Sequence, residues 1–172
     1  MDYSAGLDLI PDDRLREVVP AQVAAALPAG VRGFMVSDDA SDTAAFVAKY
    51  GVPMEDCANT IVVRYRKAGL EHYAAVVTLG SRRIDVNGAL KATLQAQRIS
   101  FANREFVVEN SGMEYGGVTV FGLPSTWAVV VDEAVMTRTQ VVMGAGIRAA
   151  KLLLDPGLLR ALRDVNVSSI AA

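Results

Sequence analysis

Apolar positions along the chain alternate between a helical and a strand period. Residues 12–27 place Leu15, Val18, Val19, Val23 and Leu27 three or four apart, which predicts a helix. Pro20 inside that run predicts a split, because proline lacks an amide and clashes with the preceding turn. Residues 31–37 read as a first strand, and the polar cluster 37–42 as a loop ending in a helix N-cap. The helix it opens, about 42–50, should stop at Gly51 and Pro53. Residues 58–66 carry the clearest period of two, with Ile61, Val63 and Tyr65 on one face and Val62, Arg64 and Arg66 on the other. A turn at Gly69 and an apolar run over 72–79 complete a hairpin.

Further on, Leu90 and Leu94 predict a helix over about 86–96, followed by a short strand at 98–101 and a helix over about 103–110 closed by Gly112. Strands at 127–131, 139–143 and 151–154 follow, with a helical turn at 132–136 and a helix over about 156–163 opened by Pro156. His72 falls at the start of the hairpin's second strand, on the rim. The irregular alternation, with a hairpin inside it, predicts an α+β fold: a mixed, largely antiparallel sheet flanked by helices. The 172 residues form one domain, with a helix-and-strand addition over 1–40 and an uncapped tail at 164–172.

One stretch breaks the pattern. Residues 112–124 hold Gly112, Gly116, Gly117, Gly122 and Pro124, yet Val118, Val120, Phe121 and Leu123 are interleaved with them. A packed segment rich in glycine brings its backbone close to something. A second glycine segment, Gly144-Ala145-Gly146, ends a later strand. Two readings fit: converging backbone donors for an oxyanion, or tight turns and bulges.

Composition narrows the chemistry. Apolar residues make up 52% and charged residues 21%, the profile of a globular chain with a large core. No apolar run reaches the ~18 residues of a membrane span, and the N-terminus, with Asp2, Asp8, Asp12 and Asp13, has no basic leader region. Cys57 is the only cysteine and His72 the only histidine, so no disulfide framework or histidine-based metal site is available, and the expected compartment is the cytoplasm. The same scarcity argues against a Ser-His-Asp or Cys-His nucleophile. Gly144-Ala145-Gly146 is too short for a dinucleotide fingerprint. Asp132 and Glu133, adjacent at a helix start, read as end charges rather than an acid/base pair. Charge is distributed unevenly: residues 1–59 hold 4 Lys/Arg against 10 Asp/Glu, residues 60–104 hold 8 against 2, and the remainder 5 against 7. The basic middle fits either a solvated sheet face or a surface that steers a polyanion.

Asp56-Cys-Ala-Asn-Thr-Ile-Val-Val63, Arg83-Ile-Asp-Val86, Gly112–Pro124, Val131-Asp132-Glu133 and Gly144-Ala145-Gly146 resemble, in order and spacing, the YbaK/ProX family of aminoacyl-tRNA editing domains. These are related to the editing insertion of bacterial prolyl-tRNA synthetase. The resemblance covers about residues 40–163. It implies a curled mixed sheet and a pocket for the 3′ end of a mischarged tRNA, whose ester is hydrolysed with no metal or cofactor. It also implies that the substrate's own ribose hydroxyl and backbone amides orient water and the carbonyl.

Carried onto this sequence, Asn59, Gly144 and Ala145 would stand at the reacting ester. Gly116, Gly117, Val118, Thr119, Phe121, Gly122 and Gly146 would contact substrate, with Asp132 near the mouth. Arg148, two residues past the last glycine, is placed by its position where a basic side chain meets a phosphate. Two positions depart from the family: Asn59 stands where the family has an important lysine, and Val120 replaces a proline. An amide offers hydrogen bonds but no charge. The expected function is therefore a free-standing deacylase acting in trans on mischarged tRNA. The alternatives are a non-catalytic binding module for an aminoacyl nucleotide or small ligand, and a domain docking on an aminoacyl-tRNA synthetase through its acidic N-terminal 40 residues. Neither a membrane nor DNA is an expected partner.

Overall fold

A computed structural model describes residues 3–172; Asp2 of the acidic N-terminal stretch lies outside them. Chain order begins with β1 (Asp8–Ile10), α1 (Leu15–Val18), α2 (Ala21–Ala26), β2 (Arg32–Met35) and α3 (Thr43–Tyr50). The long hairpin β3 (Ala58–Lys67) and β4 (Leu70–Leu79) follows, then α4 (Lys91–Thr93), β5 (Arg98–Phe101) and α5 (Arg104–Ser111). The last elements are β6 (Ala128–Asp132), β7 (Val141–Gly144), β8 (Ala150–Leu154) and β9 (Asn166–Ser168). No helix of the described residues is long and apolar enough to cross a membrane.

The strands form a four-stranded antiparallel sheet, β1-β2-β8-β7, and a five-stranded mixed sheet, β5-β3-β4-β6-β9. Among the strand pairings of the described residues, β4–β6 and β6–β9 are parallel and the rest antiparallel. A bridge between Cys57 and Val142 joins the start of β3 to β7, so one sheet continues into the other. This is the curled, mixed, largely antiparallel architecture that the sequence predicts.

Local chemistry explains most element ends. Pro20 separates α1 from α2. Asp42 caps α3 by accepting from the Ala45 amide at 2.9 Å, and Gly51 closes it at φ +70°. Asn103 and Gly112 do the same for α5. The hairpin register pairs Asn59 with Thr78 and Lys67 with Leu70. From Val63 on its alternation holds, with Val63 and Tyr65 buried and Arg64 and Arg66 exposed, whereas Val62, on the arginine face, is buried at the cavity. The main core packs Leu15, Val19 and Val23 of the N-terminal helical segments against Val131, Leu152 and Phe121.

Two expectations need correction. The helix over 86–96 is shorter than expected: a wide π-helical turn at Val86–Leu90, opened by Asp85 capping the Gly88 and Ala89 amides, runs directly into α4, and Gln95 at φ +54° ends it. Leu90 and Leu94 are buried as their spacing requires. In the N-terminal addition, β1 and β2 build half of the four-stranded sheet. Residues 164–172 are no loose tail: β9 pairs with β6, Ile170 is fully buried, and the Arg83 and Ala172 backbones bond to each other. Trimming Ile170 to valine is expected to cost about 1 kcal/mol of unfolding free energy in urea titration. An unchanged midpoint would return this segment to a tail.

Candidate active site

A cavity of about 590 Å³ opens between the start of β3, the first turn of α3, the glycine stretch 112–124 and the ends of β7 and β8. That size suits a small-molecule site. Its construction begins with the cap of α3. Asp42 fixes where the helix starts, which puts Thr43 beside β3, and the Thr43 hydroxyl donates to Asn59 Oδ1 at 3.0 Å. With its carbonyl oxygen engaged, Asn59 has its amide NH₂ as a donor.

Glycine backbone builds the opposite wall. A Cβ on Gly144 would stand 2.4 Å from the Val118 carbonyl oxygen, and one on Gly117 would stand 2.6 Å from that of Ile147. The two glycine segments therefore run backbone against backbone, a separation that no side chain permits. They are also hydrogen-bonded: Gly146 N–H donates to the Gly117 carbonyl at 2.6 Å, and Glu114 N–H to that of Gly146 at 2.9 Å. The Gly117 amide donates to Glu114, and the Thr119 amide to Met113 Sδ. Several donors expected to face an oxyanion are thus already engaged in holding the wall together.

Of the residues singled out from sequence, Asn59, Gly116, Val118, Gly144 and Arg148 line the cavity. The others do not. Gly117 lies behind the wall, Thr119 and Ala145 are fully buried, and Phe121 packs in the main core. Gly122, at φ +81°, presses on the Gln22 carbonyl, and Gly146 packs on Pro20 and Val23, so both hold the N-terminal helical segments against the wall. Asp132 is the clearest correction. It is fully buried away from the mouth, accepting from Arg82 Nε at 2.9 Å and from the Ile170 amide at 3.1 Å. Along the glycine stretch, Gly116 and Val118 line the cavity, and the irregular backbone that follows carries Thr119, Val120 and Phe121 into the interior.

The cavity's charge is positive. Arg104, Arg148 and Lys151 line it against a single carboxylate, Asp42. Among the described residues none of these three cations is in an ion pair. Arg104 lies 3.9 Å from the centroid of the Tyr115 ring, and Arg148 donates to Ser41 Oγ at 2.6 Å. Lys151 projects from β8, its Nζ 5.2 Å from the Phe46 ring centroid. Burial holds its pKa below the usual lysine value, while Cys57 and Asp42 pull the other way. Burial also pushes the Cys57 thiol up to about 11, so at neutral pH it is protonated and not a thiolate nucleophile. His72 stacks on Tyr65 at the far end of the hairpin.

Sequence reasoning missed Lys151, Thr43, Arg104 and Tyr115. Lys151 left one signal, a lone cation in the apolar run Ala150-Lys-Leu-Leu-Leu154.

Solved structures share this architecture. A hypothetical protein of known crystal structure aligns with TM-score 0.74 and 25% identity, over 83% of this chain and 91% of its own. A candidate trans-editing enzyme for prolyl tRNA synthetase aligns with TM-score 0.72 and 18% identity, over 83% of this chain and 87% of its own. A candidate signal transduction protein from Marinobacter aquaeolei VT8 aligns with TM-score 0.60 and 18% identity, over 90% of this chain but 31% of its own, a likeness of fold alone. No curated protein matches the chain. The family model for the aminoacyl-tRNA editing domain matches residues 37–162, from just before α3 to the turn before β9, and so spans every wall of the cavity. The chain belongs to the aminoacyl-tRNA editing domain family.

Proposed function

We propose that this protein hydrolyses the ester of mischarged aminoacyl-tRNA in trans, with the aminoacyl-adenosine end of the tRNA in the cavity. One observation carries the reading: the cavity is bounded by the family's glycine segments, contains Asn59 oriented by Thr43, and holds a lysine that has no ion-pair partner among the described residues. In this reading Lys151 supplies from β8 the cation that position 59 lacks. Its ammonium and the Asn59 amide donate to the ester carbonyl, whose oxygen gains charge as water attacks the carbon. The water oxygen bonds to the carbonyl carbon, the ester bond to the ribose oxygen breaks, and the water's proton passes through the neighbouring ribose hydroxyl to that leaving oxygen, which releases the free amino acid and the uncharged tRNA. Arg104 and Arg148 meet phosphate at the mouth. A tRNA substrate and a lone cysteine both suit the cytoplasm.

The test is a deacylation screen with tRNAs mischarged with small amino acids, run on the wild type and on Asn59→Ala. Turnover above background, reduced roughly 10²-fold in Asn59→Ala, is the expected result. No turnover on any mischarged tRNA would sink the proposal. A second reading, a non-catalytic module binding an aminoacyl nucleotide, draws on the engaged amides of Gly117, Thr119 and Gly146. It predicts saturable binding of a non-hydrolysable aminoacyl-adenosine without hydrolysis of the ester.

A further inference from the structure

The basic middle of the chain is not used up by the cavity. β3 and β5 leave the cavity side by side and run to a second depression of about 480 Å³. Arg64, Arg66, Lys91 and Arg98 line it, with Glu71 the only carboxylate, 3.5 Å from Arg64. The antiparallel register sets Arg66 directly opposite Arg98, and both are exposed. Like charges facing each other across a strand pair are destabilising, and an anion between them removes that cost. Gln97 adds an uncharged hydrogen-bonding side chain to the same lining. Arginines spread along a groove, with neutral polar groups between them, are the kind of surface that takes phosphate oxygens.

Placement ties this groove to the cavity. Phe101 and Ala102 line the cavity, and Arg98, Ile99 and Ser100 line the groove. Along β5 the two sites are therefore adjacent, with Arg98 about 10 Å from Phe101 at strand rise. On the face that carries Arg66 and Arg98, alternation also places Val62 and Ala102, both in the cavity's lining, so one face of the strand pair runs from groove to cavity. This face offers one path out to a chain whose 3′ end enters the cavity, and the charges along it have the sign that suits a polyanion.

We propose that the Arg66–Arg98 groove holds the ribose-phosphate backbone of the tRNA whose 3′ end enters the cavity. The inference rests on the deacylase reading for the direction of the RNA, while its test does not require hydrolysis. Binding of uncharged tRNA is measured by fluorescence anisotropy across a salt series, for the wild type, for Arg66→Gln/Arg98→Gln and for Arg66→Glu/Arg98→Glu. The neutral pair should weaken binding about 10-fold and flatten the slope of log K against log salt by about 1 to 2; the reversed pair should weaken it further. Arg160→Glu/Arg163→Glu, with the same change in net charge away from the groove, should bind as the wild type does.

Unchanged affinity and slope in both groove variants, with circular dichroism showing them folded, would overturn the proposal. So would an equal loss in the Arg160/Arg163 control, which would assign the effect to net charge. Groove-dependent tRNA binding by a wild type that hydrolyses no ester would instead defeat the deacylase reading alone.

Discussion

Lys151→Met is expected to lower kcat/KM for deacylation by about 10²–10³-fold, the range seen when one preorganised oxyanion donor is removed. Its melting temperature is expected to stay level or rise. The two readouts diverge because an ammonium half-buried beside the Phe46 ring, with no carboxylate in ion-pair distance among the described residues, costs the fold stability. Methionine keeps an unbranched stem of similar length and removes the charge. A purely structural lysine would show the reverse, with activity intact and stability reduced.

Lys151→Arg retains the charge on a broader planar group and should recover only part of the rate. The pH profile adds a further check. Burial lowers the Lys151 pKa from 10.5, opposed by Cys57 and Asp42, while Arg104 and Arg148 share the cavity. The Lys151-dependent part of the rate should therefore fade with rising pH, beginning below the range in which an exposed lysine titrates. A methionine variant as active as the wild type would remove Lys151 from the mechanism.

Asp132→Asn should act through the fold rather than the chemistry. The carboxylate is fully buried and takes a charged hydrogen bond from Arg82 at 2.9 Å and a backbone one from Ile170 at 3.1 Å. Asparagine can still accept from one of these donors, but it carries no charge and leaves the Arg82 guanidinium inadequately paired. Arg82 is 31% exposed and keeps its bond to the Ala171 carbonyl, so the loss is that of a charged hydrogen bond, about 1.5–3 kcal/mol, a sizeable share of the roughly 5–15 kcal/mol that holds an ordinary domain together. Urea unfolding should show this loss, with β9 and the C-terminal residues released first because Ile170 hangs on the same carboxylate. At low temperature, where the variant remains folded, kcat should stay close to the wild-type value. A stability change below about 1 kcal/mol, or a fall in kcat with stability unchanged, would reverse this assignment and return Asp132 to the cavity mouth.

These two residues also show where sequence reading reached its limit. Asp132 sits in a segment shared with the family, so the resemblance draws it toward the site. Its partners are 50 and 38 residues away, and nothing in its neighbourhood along the chain reveals them. Lys151 lies 92 positions beyond Asn59 and reaches the cavity only because β8 pairs with β7 and β7 meets the start of β3. A strand's own sequence tells which residues share a face, not which neighbour that face will meet.

What the sequence by itself determined was local. The helix ends at Asp42 and Gly51 and at Asn103 and Gly112 follow from capping chemistry within one turn, and the β3–β4 hairpin follows from a period of two around Gly69. The glycine segments stood out because their composition conflicts with the apolar residues between them, and the structure brings both to the cavity wall. Tertiary structure decided which of their residues face the cavity. It also decided that several of their amides are already bonded, that β9 near the C-terminus forms the edge strand of a sheet, and that a cation enters from β8. Each of these depends on pairing between segments far apart in the chain, where the free energy lies in burial and contact rather than in backbone preference.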